Sequence, residues 1–223
     1  SLMEARGNSG VILSQFFLGL LNSFEQKKSL SISAIANTFT IAADSTRKSL
    51  PNPVEGTMLT VYEDIGLLAT KSIDNCNSIK DILKVIANAS VLSVKNTPNK
   101  LRILRDAGVV DSGGLGLAIM MNAWYFSEID LNIEENLNSV YLEMIEGLSD
   151  RVSKEYLKES GELEWGNCTV FTILGKNMNI DIEREKLSKF GKSAVITGDE
   201  NLIKVHIHVL DGNEILNYSK TLG

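Results

Sequence analysis

The chain has 223 residues, 22 basic against 28 acidic for a formal charge of −6, with 43% hydrophobic and 22% charged side chains. This is enough apolar material for one ordinary core or two small ones, and it excludes disorder along the whole chain. The acidic balance lacks the broad basic footprint of a nucleic-acid binder. The longest apolar stretches, residues 11 to 24 and 115 to 126, are interrupted by Ser14, Gln15, Gly19, Asn22 and Asn122, short of the roughly 20 apolar residues that span a bilayer, so a soluble protein is expected.

Residues 11 to 126 repeat apolar side chains at helical spacing, without strand-like alternation. Ile12, Phe16, Leu20 and Phe24 form one stripe, and Ile32, Ile35, Ala36, Phe39 and Ala43 a second that Ser31 or Ser33 can cap. Helices are predicted over 58 to 73, over 79 to 92 with Ser78 as cap, over 101 to 107 after Pro98, and over 115 to 127. Residues 1 to 128 therefore read as an all-helical bundle. Residues 129 to 161 turn acidic and amphipathic, a helical connector. Its Leu137, Val140, Tyr141, Met144 and Ile145 can serve as a contact surface or pack on the bundle itself.

From 162 to 223 the period changes. Residues 168 to 174 and 202 to 210 are β-branched with alternation, while 182 to 190 and 213 to 222 read as helices, giving a small α+β domain. Two cysteines, Cys76 and Cys168, make no disulfide framework, and no charged-then-apolar leader opens the chain, so a reducing cytoplasm is expected. The chain opens directly into a glycine turn and stops inside a helical pattern, and it reads as a fragment cut at both ends.

Three turns of the helical half share one design, small residues just before a helix: Arg6-Gly7-Asn8-Ser9-Gly10, Pro53-Val54-Glu55-Gly56-Thr57-Met58 and Asp111-Ser112-Gly113-Gly114-Leu115-Gly116. A helix N-terminus offers unpaired amides and partial positive charge, and glycine lets an anion approach the backbone, so each turn is a candidate phosphate cradle. For any single one, an ordinary capping turn with Ser9 or Ser112 as N-cap is the stronger reading; three together favour the cradle. None has the spacing of a P-loop or of a Rossmann glycine motif, so any nucleotide site here is helical. Residues 1 to 126 contain no Asp-x-Asp. Asp44, Asp64, Asp81 and Asp106 read as surface charge, while Asp111 sits in a loop where capping competes with a site role.

In order and spacing these three segments resemble the kinase domain of the DAK2 family, whose members are relatives of the dihydroxyacetone kinase L subunit; within that family the resemblance is to the A-type subunit of fatty acid kinase. The resemblance implies a barrel of about eight helices with ATP or ADP at one rim. Its phosphates would lie near Gly7, Asn8, Ser9 and Gly10 and near Gly56, Thr57 and Met58, with Asp111, Ser112, Gly113 and Gly114 closing the pocket. It implies Mg²⁺ held by an Asp-x-Asp motif upstream of this chain, so no catalytic residue is assigned here and the fragment alone is not expected to turn over. Glu4 stands where the family has glycine. The implied reaction transfers the γ-phosphoryl group of ATP to the carboxylate of a fatty acid presented by a DegV-like carrier protein, giving an acyl phosphate for phospholipid synthesis. A homodimer is also implied.

The two histidines, His206 and His208, lie in the run Lys204-Val205-His206-Ile207-His208-Val209 and at strand period share a face. With Cys168 on a neighbouring strand they would supply three ligands of the kind zinc prefers, leaving a fourth position open. Read from the residues alone, this balances against two solvent-facing histidines and a core cysteine. The resemblance favours Zn²⁺ at Cys168, His206 and His208, with Val170 where the family often carries Glu. Both histidines lie in one strand, so no Ser/His/Asp triad can be assembled. Two other functions compete: a kinase for dihydroxyacetone or another small polyol, and a non-catalytic nucleotide-binding scaffold.

Overall fold

The computed structural model describes residues 7–25, 31–146 and 167–223. Seven helices come first among these: α1 (Gly7–Glu25), α2 (Ile32–Lys48), α3 (Met58–Lys71), α4 (Ile79–Lys100), α5 (Arg102–Ala107), α6 (Ser112–Glu128) and α7 (Ile133–Ile145). Then follow β1 (Asn167–Leu174), α8 (Ile180–Leu187), β2 (Lys192–Gly198), β3 (Leu202–Val209) and α9 (Gly212–Ser219). The described residues gather into two compact units, one of 18–25, 31–44 and 54–146, the other of 7–17, 45–53 and 167–223.

The helix starts follow local chemistry. Ser31 Oγ accepts the Ala34 amide at 3.1 Å, so Ser31 rather than Ser33 caps α2. Ser78 and Asp81 form a reciprocal capping box at α4. Asn132 caps α7, Asn179 caps α8 and Asp211 caps α9. Gly108 ends α5 in the left-handed conformation. The helix expected over 79 to 92 continues to Lys100, with Pro98 in its last turn. That position is tolerable because a proline near the end costs the ladder a single bond and the chain then turns extended at Leu101.

In the helical unit α3 packs on α4 and α4 on α6. The core between them includes Leu59, Tyr62 and Ile65 of α3, Ile82, Ile86 and Val94 of α4, and Leu117 and Met121 of α6, all buried. Each such aliphatic side chain contributes on the order of 1.5–3 kcal/mol when fully buried. α2 meets α3 closely at Gly66, where a Cβ would lie 2.9 Å from Thr40 Cα, and Thr40 Oγ1 donates to the Gly66 carbonyl at 3.2 Å. Of the expected connector, residues 133 to 145 are helical and 147 to 161 lie outside the described residues. α7 packs on α6 and α4 through the buried Met144, so it lies on its own bundle and leaves Tyr141 and Leu142 exposed.

The α+β part holds a three-stranded antiparallel sheet in the order β1-β3-β2, with β3 in the centre. Ile203, Val205, Ile207 and Val209 of β3 join Ile173, Ile196, Leu187 and Ile215 in an aliphatic core on one face. The sequence reading lacks β2, and the reason is local. A bulge between Lys192 and Val195, with Ser193 at φ 52°, breaks the alternation that marks a strand.

Candidate functional site

The second and third glycine turns come together in the helical unit. In the second, Thr57 Oγ1 donates to the Val54 carbonyl at 2.8 Å, so the hydroxyl locks the turn and makes no cap bond to α3. Gly56, at φ +78°, donates its amide to Thr60 Oγ1 at 2.9 Å, and that hydroxyl donates to Glu55 Oε2 at 2.9 Å. In the third, Asp111 is the N-cap of α6, and its Oδ2 accepts the Gly114 amide at 2.7 Å. The same carboxylate accepts the amide of Met58, the first residue of α3. Thr97 Oγ1 accepts the Asp111 amide at 3.1 Å and donates to the Val94 carbonyl at 2.7 Å, which ties the turn to α4.

One carboxylate thus joins the N-termini of α3 and α6, and both helices point their partial positive charge toward it. Burial nevertheless raises the pKa of Asp111 above the ordinary aspartate value, with the Gly114 and Met58 amides pulling the other way. A Cβ on Gly113 would lie 3.1 Å from Met58 Sδ, and one on Gly114 2.9 Å from Val61 Cγ2. These two glycines therefore have a packing role, admitting α6 close to α3. The first intrahelical acceptors serve Val61 and Leu115, so the amides of Leu59 and Thr60 in α3, and of Ser112 and Gly113 in α6, have no carbonyl four residues back inside their helices. Such amides can receive an anion.

The first turn differs from its expected form. Gly7, Asn8, Ser9 and Gly10 are already the opening turn of α1, and they belong to the other compact unit. Among the described residues the scattered aspartates have structural partners in place of Mg²⁺. Asp64 accepts from Ser93 at 2.6 Å and faces Lys100 at 3.5 Å, Asp81 closes its capping box, and Asp106 pairs with Arg102 at 3.0 Å. A groove of about 480 Å³ between α3 and α4 has Leu67, Leu68 and Leu92 on its wall, but the Ser93–Asp64–Lys100 set pairs its own polar atoms and it lies away from the glycine turns. Sequence reasoning missed Thr97, Thr60 and Glu55. Helix-interior threonines carry no motif that separates a hydroxyl anchoring a neighbouring loop from one on a surface.

In the sheet, Cys168 of β1 stands directly opposite His208 of β3, and Val170 opposite His206. Because paired and alternate residues share a face, all three candidate ligands project together, on the side opposite the aliphatic core. Their donor atoms lie within 4.8 Å of one another, and Cys168 Sγ is 4.0 Å from His206 Nδ1. Zinc bonds of about 2.3 Å to sulfur and 2.0–2.1 Å to nitrogen at a tetrahedral angle set S and N roughly 3.6 Å apart. The trio fits that ion after a shift of a few tenths of an ångström. Burial, then His208 and then Lys204, lower the pKa of His206, which favours the neutral imidazole that a metal requires. Cys76 follows a short 3-10 turn in the helical unit and takes no part.

The comparisons agree with both halves. The DAK2 domain matches residues 1–126, and the FakA-like middle domain, that of the A-type subunit of fatty acid kinase, matches residues 164–223. The chain belongs to the DAK2 domain family and is a kinase-related protein with a FakA-like middle domain. It is 34% identical over 236 residues to an uncharacterized protein of Staphylococcus saprophyticus, 33% over 226 residues to one of Staphylococcus epidermidis, and 32% over 226 residues to one of Staphylococcus aureus. Each match covers the whole of this chain and 41% of the relative. No helix among the described residues is long and apolar enough to cross a membrane.

Proposed function

We propose that this chain is the nucleotide-binding part, with its middle domain, of a cytoplasmic kinase subunit that transfers the γ-phosphoryl group of ATP to the carboxylate of a fatty acid presented by a DegV-like carrier protein. The observation that carries this reading is the junction of α3 and α6 at Asp111, which gathers two helix N-termini in a chain whose two halves match the DAK2 domain and the FakA-like middle domain. A carboxylate oxygen of the fatty acid attacks the γ-phosphorus in line, the bond from that phosphorus to the bridging oxygen breaks, and ADP leaves. This chemistry asks for positioning and charge stabilisation more than for a protein nucleophile.

The free amides at the start of α3 and α6 would bind phosphate oxygens, with the first turn of α1, Asn8 to Gly10, as a third contact. Asp111 holds the two helix ends in register as a positioning residue. Mg²⁺ ligation is assigned to no residue of this chain. Cys168, His206 and His208 would hold Zn²⁺, which would cross-link β1 to β3; zinc that persists stoichiometrically in a Cys168→Ser, His206→Ala double variant would remove that assignment.

The test is ATP consumption by the full-length protein with and without a fatty-acid-loaded DegV-like carrier. Turnover that depends on the loaded carrier supports the proposal. Turnover with dihydroxyacetone and no carrier moves the activity to a polyol kinase, and tight ADP binding without turnover on either acceptor makes the protein a nucleotide-binding scaffold.

A further inference from the structure

The face of the sheet that carries Cys168, His206 and His208 has a second feature, beside the ligands themselves. From the register, three cross-strand rows lie on it: Cys168, His208 and Lys192; Val170, His206 and Val195; Thr172, Lys204 and Thr197. In the middle row His206 stands between two valines, so neither direct neighbour offers its ring a hydrogen bond. His206 is 2% exposed, and its Nε2 is buried with no hydrogen-bond partner among the described residues. In the next row Thr197 is 1% exposed, and its Oγ1 is likewise buried without a partner among them. Two orphaned polar atoms thus occur at diagonal positions on one face of the β2–β3 pair. Diagonal neighbours sit roughly 7–8 Å apart at Cα, with Cβ atoms somewhat nearer.

The two orphans have complementary chemistry. Nδ1 is the His206 nitrogen that faces Cys168 Sγ, at 4.0 Å, so a metal at the trio takes Nδ1. The proton of the neutral ring then sits on Nε2, which becomes a donor in need of an acceptor. A metal-bound histidine nearly always directs its second nitrogen to an acceptor or a water, which fixes both tautomer and ring orientation. A buried polar site with unsatisfied groups on two sides is where an ordered water resides.

We propose that Thr197 is the outer support of the metal site: its hydroxyl, through one buried water, accepts the Nε2–H of His206 and holds that imidazole in the tautomer that presents Nδ1 to the metal. This rests on the zinc reading of Cys168, His206 and His208 and adds to it a residue from the strand that supplies no ligand. Thr197 touches no metal and no substrate, so it acts as a positioning residue through His206.

The test is zinc competition with a chromogenic chelator on the full chain carrying Thr197→Val and Thr197→Ser, alongside the parent. Valine keeps the shape of threonine and removes the hydroxyl; serine keeps the hydroxyl. The expected result is a loss of zinc affinity of about tenfold or more for Thr197→Val, within the range seen when outer partners of metal-bound histidines are removed, with Thr197→Ser holding zinc like the parent. Long-range ¹⁵N–¹H correlation of the histidine rings in the zinc-loaded parent should show His206 protonated at Nε2. A merely structural role would lower the melting temperature of the metal-free protein in both variants without separating them in zinc affinity. Equal affinity in Thr197→Val and the parent overturns the proposal, as do equal losses in both variants or a His206 protonated at Nδ1. A parent that binds no zinc overturns the metal-site reading beneath it, an outcome distinguishable from the others before any variant is measured.

Discussion

At Asp111 a single side chain accepts the amides of Gly114 and Met58, so its removal should loosen two helix starts together. Replacing it by alanine is expected to cost about 1 kcal/mol or more, the scale of a lost N-cap, read from urea denaturation. Asparagine separates capping from charge. Because burial raises the folded-state pKa of Asp111, the folded protein binds that proton more tightly than the unfolded chain does. The associated stabilisation is complete below the ordinary aspartate pKa of about 3.9 and fades as pH rises through the raised value. Asp111→Asn should therefore gain stability relative to the parent as pH is raised from about 3 to 6. Melting temperatures that differ by a constant amount across that range would refute the assignment. The identity of Asp111 as a loop residue with a capping role was legible in the sequence. Its second bond, to Met58, was not, because that contact depends on how closely α6 approaches α3.

The elements differ in how much of them a sequence can carry. The helical periodicity of residues 58 to 126 and the strands at 168 and 202 were readable, since each buries one face and repeats at its own period. β2 was not, because its bulge places Ala194, Val195 and Ile196 in an unbroken apolar run. The glycines were legible as a group, yet only the structure separates their roles. Gly56 sits at φ +78°, with its would-be Cβ 2.6 Å from Leu101 Cβ, and Gly66 abuts the backbone of Thr40 at 2.9 Å. For Gly116 nothing lies within 4 Å. Gly56→Ala should destabilise by about 2–4 kcal/mol from the left-handed penalty and the clash together. Gly66→Ala should also destabilise, by about 1–3 kcal/mol. Gly116→Ala should stabilise by about 0.5–1 kcal/mol, as alanine does in an open helical position. Chemical denaturation of the three variants orders them, and a stabilising Gly66→Ala would contradict the close α2–α3 approach.

For the molecule as a whole, the helical unit and the sheet carry separate candidate sites with separate chemistry. A ligand that binds only the folded form adds stability in proportion to RT ln(1 + [L]/Kd), about 2.7 kcal/mol at a hundredfold excess over Kd. Zinc should therefore protect the sheet more than the helices. Hydrogen exchange followed by mass spectrometry, with and without chelator, is expected to show faster exchange in peptides covering residues 167–174 and 202–209 on zinc removal, and little change in those covering residues 79–100. Equal changes in both sets would argue against a local metal site.

The central strand β3 has two incompatible faces. Ile203, Val205, Ile207 and Val209 complete an aliphatic core, while Lys204, His206 and His208 look the other way. A slip of one residue would exchange these sets, burying a lysine and two imidazoles in hydrocarbon and carrying both histidines away from Cys168. Zinc capture would thus act as a proofreading signal for strand alignment, since a chain paired one residue out of step cannot close the metal trio. During refolding, the time course of zinc uptake would count the correctly aligned molecules.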